Sequence, residues 1–260
     1  MKTPIMDSPP EVVMLGTTKN IDTTFESFRE GGLNYIVRND QSLFKLLSLS
    51  EKKMVKKIRK KDMLFMEGDS ANFLYIIDTG KIKIFKANEW GKEYIIDIYK
   101  TGDFLGYVAL MENSAHSESA IAIEDSEITL IYKDDFLKLL YSDREVSYKF
   151  IKLLSANYFE MEKRLLNLAY GSVRKRVAEA LLFISKKYQQ EDKRELSFSV
   201  IRENISAIAG ISRESVSRTL TYFKEEGLIS CNNFKEEGLI SCSNNNIKIL
   251  DYKKLEGIKN

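Results

Sequence analysis

The stretch from Asp143 to Leu168 contains neither proline nor glycine. Its apolar residues recur at alternating intervals of three and four, which is the spacing of an a/d stripe along one helix face. The residues of this stripe are Ile151, Leu154, Tyr158, Met161, Leu165 and Leu168. Phe150 and Leu153 add a second apolar edge. The pattern predicts one long helix that packs on its own domain along this second edge and on another copy of the chain along the stripe. Packing on its own domain alone remains the alternative.

The residues before this helix have the pattern of short strands separated by turns. The strand segments, mostly rich in β-branched and aromatic residues, are 62–66, 73–77, 81–85, 94–99 and 127–132. Turn sequences that contain glycine, aspartate or both lie between them. Strands this closely spaced, with no helix pattern between them, indicate an antiparallel sandwich or roll.

Beyond Gly171 the pattern changes to short helices. Residues 173–188 have the apolar spacing of an amphipathic helix, and residues 189–195 form a charged loop. A further helix is predicted from isoleucines that share one face, at Ile201, Ile205 and Ile208.

A glycine and a capping serine separate this helix from the next one. Gly210 supplies the turn, and Ser212 is a good N-cap for a second helix. Ile211 before the cap and Val216 after it have the spacing of a hydrophobic staple, which would fix the angle between the two helices. The spacing predicts a helix-turn-helix.

The second helix of this pair has one apolar face and one polar face. Its apolar residues are Val216, Leu220 and Phe223, and its polar face carries Arg213, Glu214, Ser217 and Arg218. Arginine can donate two hydrogen bonds to the acceptor edge of guanine, and glutamate can accept one from the amino group of cytosine. We therefore predict that this helix reads the major groove of double-stranded DNA. The alternative is a surface helix whose charges are only solvated.

Composition excludes several other classes of protein. The 260 residues are 43% apolar and 30% charged, as in an ordinary globular protein, and the net charge is +2. No apolar run approaches the ~20 residues that span a bilayer, and no leader sequence is visible. With one histidine, His116, and two cysteines, Cys231 and Cys242, we expect no catalytic site, no metal site and no cofactor. We expect a cytoplasmic protein whose cysteines remain thiols.

Four segments together resemble the cyclic-AMP receptor/fumarate-nitrate regulator (Crp/Fnr) family. They read FMEGDS at 65–70, LYIIDTG at 74–80, GDFLG at 102–106 and AGISRESVSR at 209–218. The resemblance implies an α+β fold with an N-terminal antiparallel β-roll, or jelly roll, of the cyclic-nucleotide-binding type. A long dimerisation helix and a C-terminal winged helix-turn-helix would follow.

The implied domains are 41–142 for the roll, 143–170 for the dimerisation helix and 171–260 for the DNA-binding domain. The implied partners are double-stranded DNA, a second copy of the chain and RNA polymerase. In the family's pattern, Arg213, Glu214 and Arg218 align with positions that read bases, and Ser217 aligns with a position that does so in some branches.

Two positions depart from the family members that bind cyclic AMP. Tyr107 stands where those proteins carry a glutamate for the ribose, and Glu118 stands beside Ser119 where they carry an arginine for the cyclic phosphate. A carboxylate repels a phosphate, so we expect an unidentified effector instead of cyclic AMP bound in the usual manner. Candidate pocket residues are Gly106, Tyr107, His116, Glu118 and Ser119. For His116 we favour a solvated position in a surface turn. The cysteine cluster that holds an iron–sulfur centre in the oxygen-sensing branch is absent from the sequence.

The N-terminal residues have a resemblance of their own. Segments 10–17 and 30–38 are similar to the last third of a two-component receiver domain, with Arg38 in place of the usual lysine. We therefore interpret residues 1–40 as a receiver-domain remnant that cannot be phosphorylated in the normal way. The alternative is an ordinary extension that packs on the roll.

A direct duplication lies at the end of the DNA-binding domain. Residues 223–233 and 234–244 are identical at ten of eleven positions. We expect the first copy to fill the native role up to Ile229. The extra copy would then loop out or displace the first, which would expose Leu228 and Ile229 or their counterparts in the second copy. The prediction is a lengthened or disordered wing and weakened DNA affinity. A ligand-binding signalling module with impaired DNA binding is the alternative function.

Overall fold

Two four-stranded antiparallel sheets form the N-terminal half of the computed structural model, which describes residues 53–188, 197–232 and 245–259. The strand order is β1-β8-β3-β6 in one sheet and β2-β7-β4-β5 in the other. The strands are β1 (Lys53–Ile58), β2 (Met63–Phe65), β3 (Phe73–Thr79), β4 (Lys81–Ala87), β5 (Glu93–Lys100), β6 (Phe104–Leu105), β7 (Ser119–Ala122) and β8 (Ser126–Tyr132). Ile77 and Ile128 from one sheet and Ile82 from the other share a core and are fully buried. The predicted antiparallel roll is confirmed.

Glycine is required where β3 turns into β4. Gly80 has a φ of 93°, and a Cβ atom there would lie 2.1 Å from the side-chain oxygen of Ser126. Only glycine adopts this left-handed conformation without strain and leaves room for the neighbouring strand. The tight turn places β3 and β4 in different sheets, and it thereby helps to close the roll.

Three strands and two helices of the roll were not predicted. The strands are β1, β6 and β7, and the helices are α1 (Tyr107–Glu112) and α2 (Lys133–Ser142). Strand β1 is mostly exposed, and β6 has two residues, so neither has an apolar alternation long enough to read. Helix α1 is a single short segment between a glycine and an asparagine that are both in the left-handed conformation.

The predicted long helix is α3 (Arg144–Tyr170), which begins at the cap Asp143 and ends at Gly171. The Asp143 carboxylate accepts hydrogen bonds from the backbone N–H groups of Glu145 and Val146 at 2.8 and 3.2 Å. The second apolar edge lies against the roll, where Phe150 and Leu153 are buried. The expected packing of α3 on its own domain is therefore confirmed.

The C-terminal unit contains four helices and a three-stranded sheet within the described residues. These elements are α4 (Val173–Tyr188), β9 (Ser197–Val200), α5 (Arg202–Ala209), α6 (Arg213–Glu225), β10 (Ile229–Asn232), β11 (Asn245–Ile249) and α7 (Tyr252–Glu256). The antiparallel strand order is β10-β11-β9. Val177, Ile205 and Phe223, one from each of α4, α5 and α6, are fully buried in one core. This arrangement is the winged helix-turn-helix that the sequence predicted.

Two predictions fall outside the described residues: the receiver-like remnant at 1–40 and the second copy of the duplication at 234–244. Among the helices that the structure describes, none has the length and apolarity needed to cross a membrane. The described ranges also contain no group of histidine, cysteine and acidic side chains that could hold a metal ion.

We predict that Phe150→Ala lowers the free energy of unfolding by about 3–5 kcal/mol, since a buried aromatic ring is replaced by a cavity. The ring of Phe150 lies 5.5 to 6.2 Å from those of Phe104, Tyr107 and Phe136, measured between centroids. Urea denaturation measures the change. Tyr141→Ala is the matched control, because Tyr141 is 76% exposed and its removal should cost less than about 0.5 kcal/mol. Equal losses for the two variants would contradict the packing of α3 on the roll.

Candidate nucleic-acid interface and sensor pocket

The turn between α5 and α6 has the geometry that the sequence predicted. Gly210 is left-handed, with a φ of 63°, and Ser212 caps α6 by accepting a hydrogen bond from the N–H of Ser215 at 3.2 Å. Ile211 and Val216, the predicted staple, are both buried in the same core. The angle between the two helices is therefore fixed by local packing.

An arginine on α4 braces this turn. Arg176 Nε donates to the carbonyl of Ala209 at 2.9 Å, and its Nη2 donates to the carbonyl of Gly210 at 2.8 Å. These contacts satisfy carbonyl groups at the C-terminal end of α5 that have no partner in the helix itself. This role could not be predicted from the sequence, because the spacing places Arg176 at an ordinary exposed position of an amphipathic helix.

Helix α6 presents the predicted polar face to solvent. Arg213, Glu214 and Arg218 are exposed and Ser217 is half-buried, while Val216 on the opposite face is fully buried. Positions 213, 214, 217 and 218 lie on adjacent turns of one helix face. The structure therefore brings the four predicted residues together on one surface.

Two of these side chains also make contacts within the helix-turn-helix. Arg213 pairs with Glu203 of α5 at 2.7 Å, and both side chains are half-exposed. The pKa of Glu214 is lowered by hydrogen bonds from its own backbone N–H and from the Ser212 side chain at the N-terminus of α6, with smaller effects from Arg213 and Arg218. Glu214 is therefore held as a carboxylate, the form that accepts hydrogen bonds.

The far end of α6 is tied to α4 as well. The Arg174 guanidinium forms a two-fold hydrogen bond with the Glu226 carboxylate, with one distance of 2.7 Å. The same guanidinium lies 5.1 Å from the centre of the Phe223 ring. Helix α4 thus holds the recognition helix near both of its ends, through Arg176 and Arg174.

The first copy of the duplication forms the first strand of the wing. Leu228 and Ile229 are 4% and 1% exposed, and Ile229 pairs with Ile249 across β10 and β11. The N–H of Leu250 also donates to the carbonyl of Leu228 at 2.9 Å. The expectation that the first copy fills the native role up to Ile229 is confirmed, and the displacement that would expose Leu228 and Ile229 is not observed.

Tyr107 joins the sensor pocket of the roll to the long helix. Its hydroxyl oxygen accepts a hydrogen bond from Asn157 Nδ2 on α3 at 2.8 Å. Burial raises the pKa of Tyr107 to about 12, and the nearby carboxylates of Asp97 and Glu118 act in the same direction. Tyr107 is therefore an uncharged phenol that is buried where α3 packs on the roll. Glu118 is half-buried on the same side, and it accepts a hydrogen bond from the Ser117 hydroxyl at 3.2 Å.

The prediction of a solvated His116 was wrong. Its side chain is 3% exposed and stacks on Phe65 with ring centroids 3.7 Å apart. Burial lowers the pKa of His116, and its Nε2 atom has no hydrogen-bond partner among the described residues. The histidine is a core residue because two aromatic side chains, Phe65 and Tyr75, come from strands that lie far from it in the sequence.

The remaining two pocket candidates have local structural roles. Gly106 has a φ of 88°, and a Cβ atom there would lie 2.9 Å from the Tyr75 ring. The Ser119 hydroxyl accepts a hydrogen bond from the N–H of Glu67 at 3.0 Å and so braces the turn before β3. Gly106 and His116 thus both border Tyr75, whereas Tyr107 and Glu118 influence each other electrostatically.

The predicted dimer stripe of α3 is largely exposed in the single chain. Ile151, Tyr158, Met161 and Leu165 are all more than 60% exposed, and Leu154 is 37% exposed. Leu168 differs, because it is half-buried and its side chain lies beside Gly210 of the helix-turn-helix. The last residue of the stripe therefore contacts the DNA-binding unit of its own chain.

A two-sheet roll joined by a long helix to a winged helix-turn-helix defines a DNA-binding regulator with a sensor domain. Residues 55–143 match the model of the cyclic nucleotide-binding domain, and residues 175–233 match that of the Crp-like helix-turn-helix domain. The chain is 31% identical over 166 residues to the cyclic AMP receptor protein of Thermus thermophilus, covering 64% of this chain and 74% of that protein. It is 29% identical over 194 residues to the anaerobic regulatory protein of Haemophilus influenzae, covering 74% of each.

A solved structure has the same fold. The structure of FixK2 from Bradyrhizobium japonicum superimposes with a TM-score of 0.66 at 21% identity, covering 80% of this chain and 98% of that one. The chain belongs to the Crp/Fnr family of transcription regulators, whose members bind DNA and are not enzymes.

We predict that Asp103→Asn changes how stability depends on pH. Asp103 is 3% exposed, and burial raises its pKa from 3.8 to about 6 although Lys187 and a hydrogen bond from the Lys100 N–H lower it. Because the pKa is raised in the folded state, the Asp103 carboxyl group contributes to the stability of the fold at pH values below its ordinary pKa. This contribution to stability is lost as the pH rises through about 6.

Asparagine cannot ionise, so the unfolding free energy of the variant relative to the original should rise by roughly 2 kcal/mol between about pH 4.5 and about pH 7.5. Urea denaturation at both pH values measures this difference. A difference that is the same at both pH values would contradict the raised pKa.

Proposed function

We propose that the chain is a homodimeric, sequence-specific regulator whose α6 helix reads bases in the major groove through Arg213, Glu214, Ser217 and Arg218. The main support is that this face of α6 is exposed while its opposite face is buried. In addition, side chains of α4 form hydrogen bonds near both ends of α6. A recognition helix needs such a rigid support, because base reading requires side chains at fixed positions in the groove. The regulator would act in the cytoplasm, and contact with RNA polymerase is part of the proposal.

Within this face we assign different roles to the two arginines. Arg218 is exposed and, among the described residues, its interaction is electrostatic, with Glu214. It is therefore available to donate two hydrogen bonds to one guanine. Arg213 is paired with Glu203, so it would reach a base or phosphate only by giving up or sharing that contact.

The exposed stripe of α3 supports the dimer. A row of large apolar side chains along several helix turns is costly to leave in water, and association with a second α3 would bury it. Two copies related by a two-fold axis would present two α6 helices to half-sites about one helical turn of DNA apart.

We further propose that the sensor responds to something other than cyclic AMP bound in the family's usual manner. Tyr107 is a buried, neutral phenol, and the half-buried Glu118 carboxylate is close enough to influence it electrostatically. A cyclic phosphate placed there would meet a negative charge where a cation is needed, which disfavours binding. Gly106, His116 and Ser119 are used in packing and turn formation, so we assign them supporting roles around the pocket.

The alternative, a signalling module that no longer binds DNA, predicts a different response to salt. Binding to DNA phosphates releases counterions, so a genuine DNA-binding protein loses affinity steeply as salt rises. For six to ten phosphate contacts, the loss is roughly 10³ to 10⁵ between about 50 and about 200 mM salt. The buried Leu228 and Ile229 favour the DNA-binding candidate, because the first wing strand is intact.

We predict that Arg218→Ala weakens binding to the preferred DNA sequence by about 1–3 kcal/mol and relaxes discrimination at one base pair of each half-site. Competition binding against sites substituted at each position measures both effects. Lys224→Ala is the charge-matched control, since Lys224 lies in the last turn of the same helix, outside the 213–218 cluster. If Arg218→Ala weakens binding equally on every sequence, base reading by Arg218 is refuted.

We predict that deletion of residues 234–244 strengthens DNA binding, because it leaves one copy of the repeat and shortens the connection between β10 and β11. The gain should exceed about threefold in affinity, with the same preferred sequence, since α6 is untouched. Fluorescence anisotropy with labelled DNA gives the affinity, and a melting curve controls for folding. Unchanged affinity together with an unchanged melting temperature would show that the second copy has no effect on the wing.

A further inference from the structure

One strand of the sensor roll is buried in the core of the DNA-binding unit. Ile95 and Ile98 of β5 are 0% and 1% exposed, and they belong to the same apolar cluster as Leu181 of α4 and Ile208 of α5. Residues of the roll thus complete the core of the winged helix-turn-helix. The two units are therefore in direct contact and are not joined by α3 alone.

A largely buried ion pair crosses this contact. Lys187 Nζ in the last turn of α4 lies 2.6 Å from Asp97 Oδ1 on β5, and the two side chains are 12% and 22% exposed. The ammonium group also lies 5.6 Å from the centre of the Tyr99 ring and 5.4 Å from that of Phe183. Separating a charge pair this deep is costly, because loss of either partner leaves the other charge buried and uncompensated.

Polar contacts to backbone carbonyls fix the surrounding elements. Lys100 Nζ on β5 donates to the carbonyl of Lys186 at the C-terminal end of α4, at 3.1 Å. From the other side, Arg164 of α3 donates to the carbonyl of Ile95 at 3.0 Å and to that of Ile96. Contacts to backbone atoms constrain the position of whole strands and helices, so β5 is bound to both α3 and α4.

The ion pair also lies near Tyr107, one of the candidate pocket residues. Lys187 lies over the ring of Tyr99, Asp97 and Tyr99 both influence Tyr107 electrostatically, and Tyr107 accepts a hydrogen bond from Asn157 of the long helix. Lys187 also acts electrostatically on the buried Asp103. Contacts and electrostatic interactions therefore link α3, through Tyr107 and Tyr99, to the first helix of the DNA-binding unit.

We propose that Lys187 and Asp97 are positioning residues for DNA recognition: they fix the orientation of α6 relative to the sensor roll and α3. In a dimer built on α3, that orientation sets the distance between the two recognition helices. The inference rests on the proposed function, since it needs a dimer that binds two half-sites. Neither residue belongs to the proposed DNA-reading face, so an effect of their substitution on the preferred spacing between half-sites points to domain orientation.

The test measures how sharply the protein distinguishes the spacing between half-sites. The full chain is titrated with duplexes that carry two copies of its selected half-site, with the separation varied one base pair at a time. For the original protein we expect a sharp optimum. Lys187→Met and Asp97→Asn should each reduce the affinity ratio between the best and the neighbouring spacings by at least about threefold. The double variant should do no more than either single variant, as is expected for residues that act through one contact.

Two controls separate orientation from stability. Lys186→Met removes the same charge one residue earlier, from an exposed side chain, and should leave the spacing preference intact. Lys187→Arg retains the charge and should retain most of the preference. Because Lys187→Met removes the cation and Asp97→Asn removes the anion, the pair is tested from both domains even if one variant melts too early to study.

Three outcomes would overturn the inference. The first is an unchanged spacing preference in both Lys187→Met and Asp97→Asn. The second is an effect no larger than that of Lys186→Met, and the third is additive effects in the double variant. If the original protein binds no DNA sequence selectively, the proposed function itself fails, and this result is distinct because it precedes any substitution.

Discussion

Helix α3 has two apolar edges, and its own domain buries only one of them. Phe150 and Leu153 lie against the roll, in an apolar cluster that also contains Phe104 and Tyr107. The other edge, from Ile151 to Leu165, stays exposed in the single chain. This division fixes where the roll sits on the helix, and it leaves a surface suited to a second copy. It also brings Asn157 to Tyr107, so one of the candidate pocket residues is hydrogen-bonded to the same helix that would join the two subunits.

The proposed DNA-reading face of α6 depends on α4 in a similar way. Arg176 satisfies the carbonyls at the turn before α6, and Arg174 binds Glu226 just after α6 ends. Because α4 also carries Lys187, the helix that braces the recognition helix is the one that contacts the sensor roll. The position of the reading face is thus coupled to the roll through packed side chains rather than through a flexible connection.

Sequence reasoning succeeded where the signal was local. The turn Gly210 and the cap Ser212 each act on residues within a few positions, so their roles could be predicted from spacing. The shared helix face of Arg213, Glu214, Ser217 and Arg218 could also be predicted, because helix periodicity alone places them together; that this face reads DNA stays a prediction.

Sequence reasoning failed where the contacting residues come from distant segments of the chain. His116 is buried by Phe65 and Tyr75, and the brace by Arg176 needs the fold of α5 against α4. The burial of Ile95 and Ile98 in the DNA-binding unit has no signature in β5, whose apolar residues read as an ordinary strand of the roll. Burial by another domain does not alter the local pattern of a strand, which is why this contact emerges only from the structure.

The most direct measurement of the central claim is selection of bound sequences from random double-stranded DNA with the purified full chain. Base reading by two copies of α6 predicts enrichment of a two-fold symmetric sequence, with guanine in each half-site and half-sites about one helical turn apart. Recovery of sequences without symmetry or without any preferred base would contradict the account.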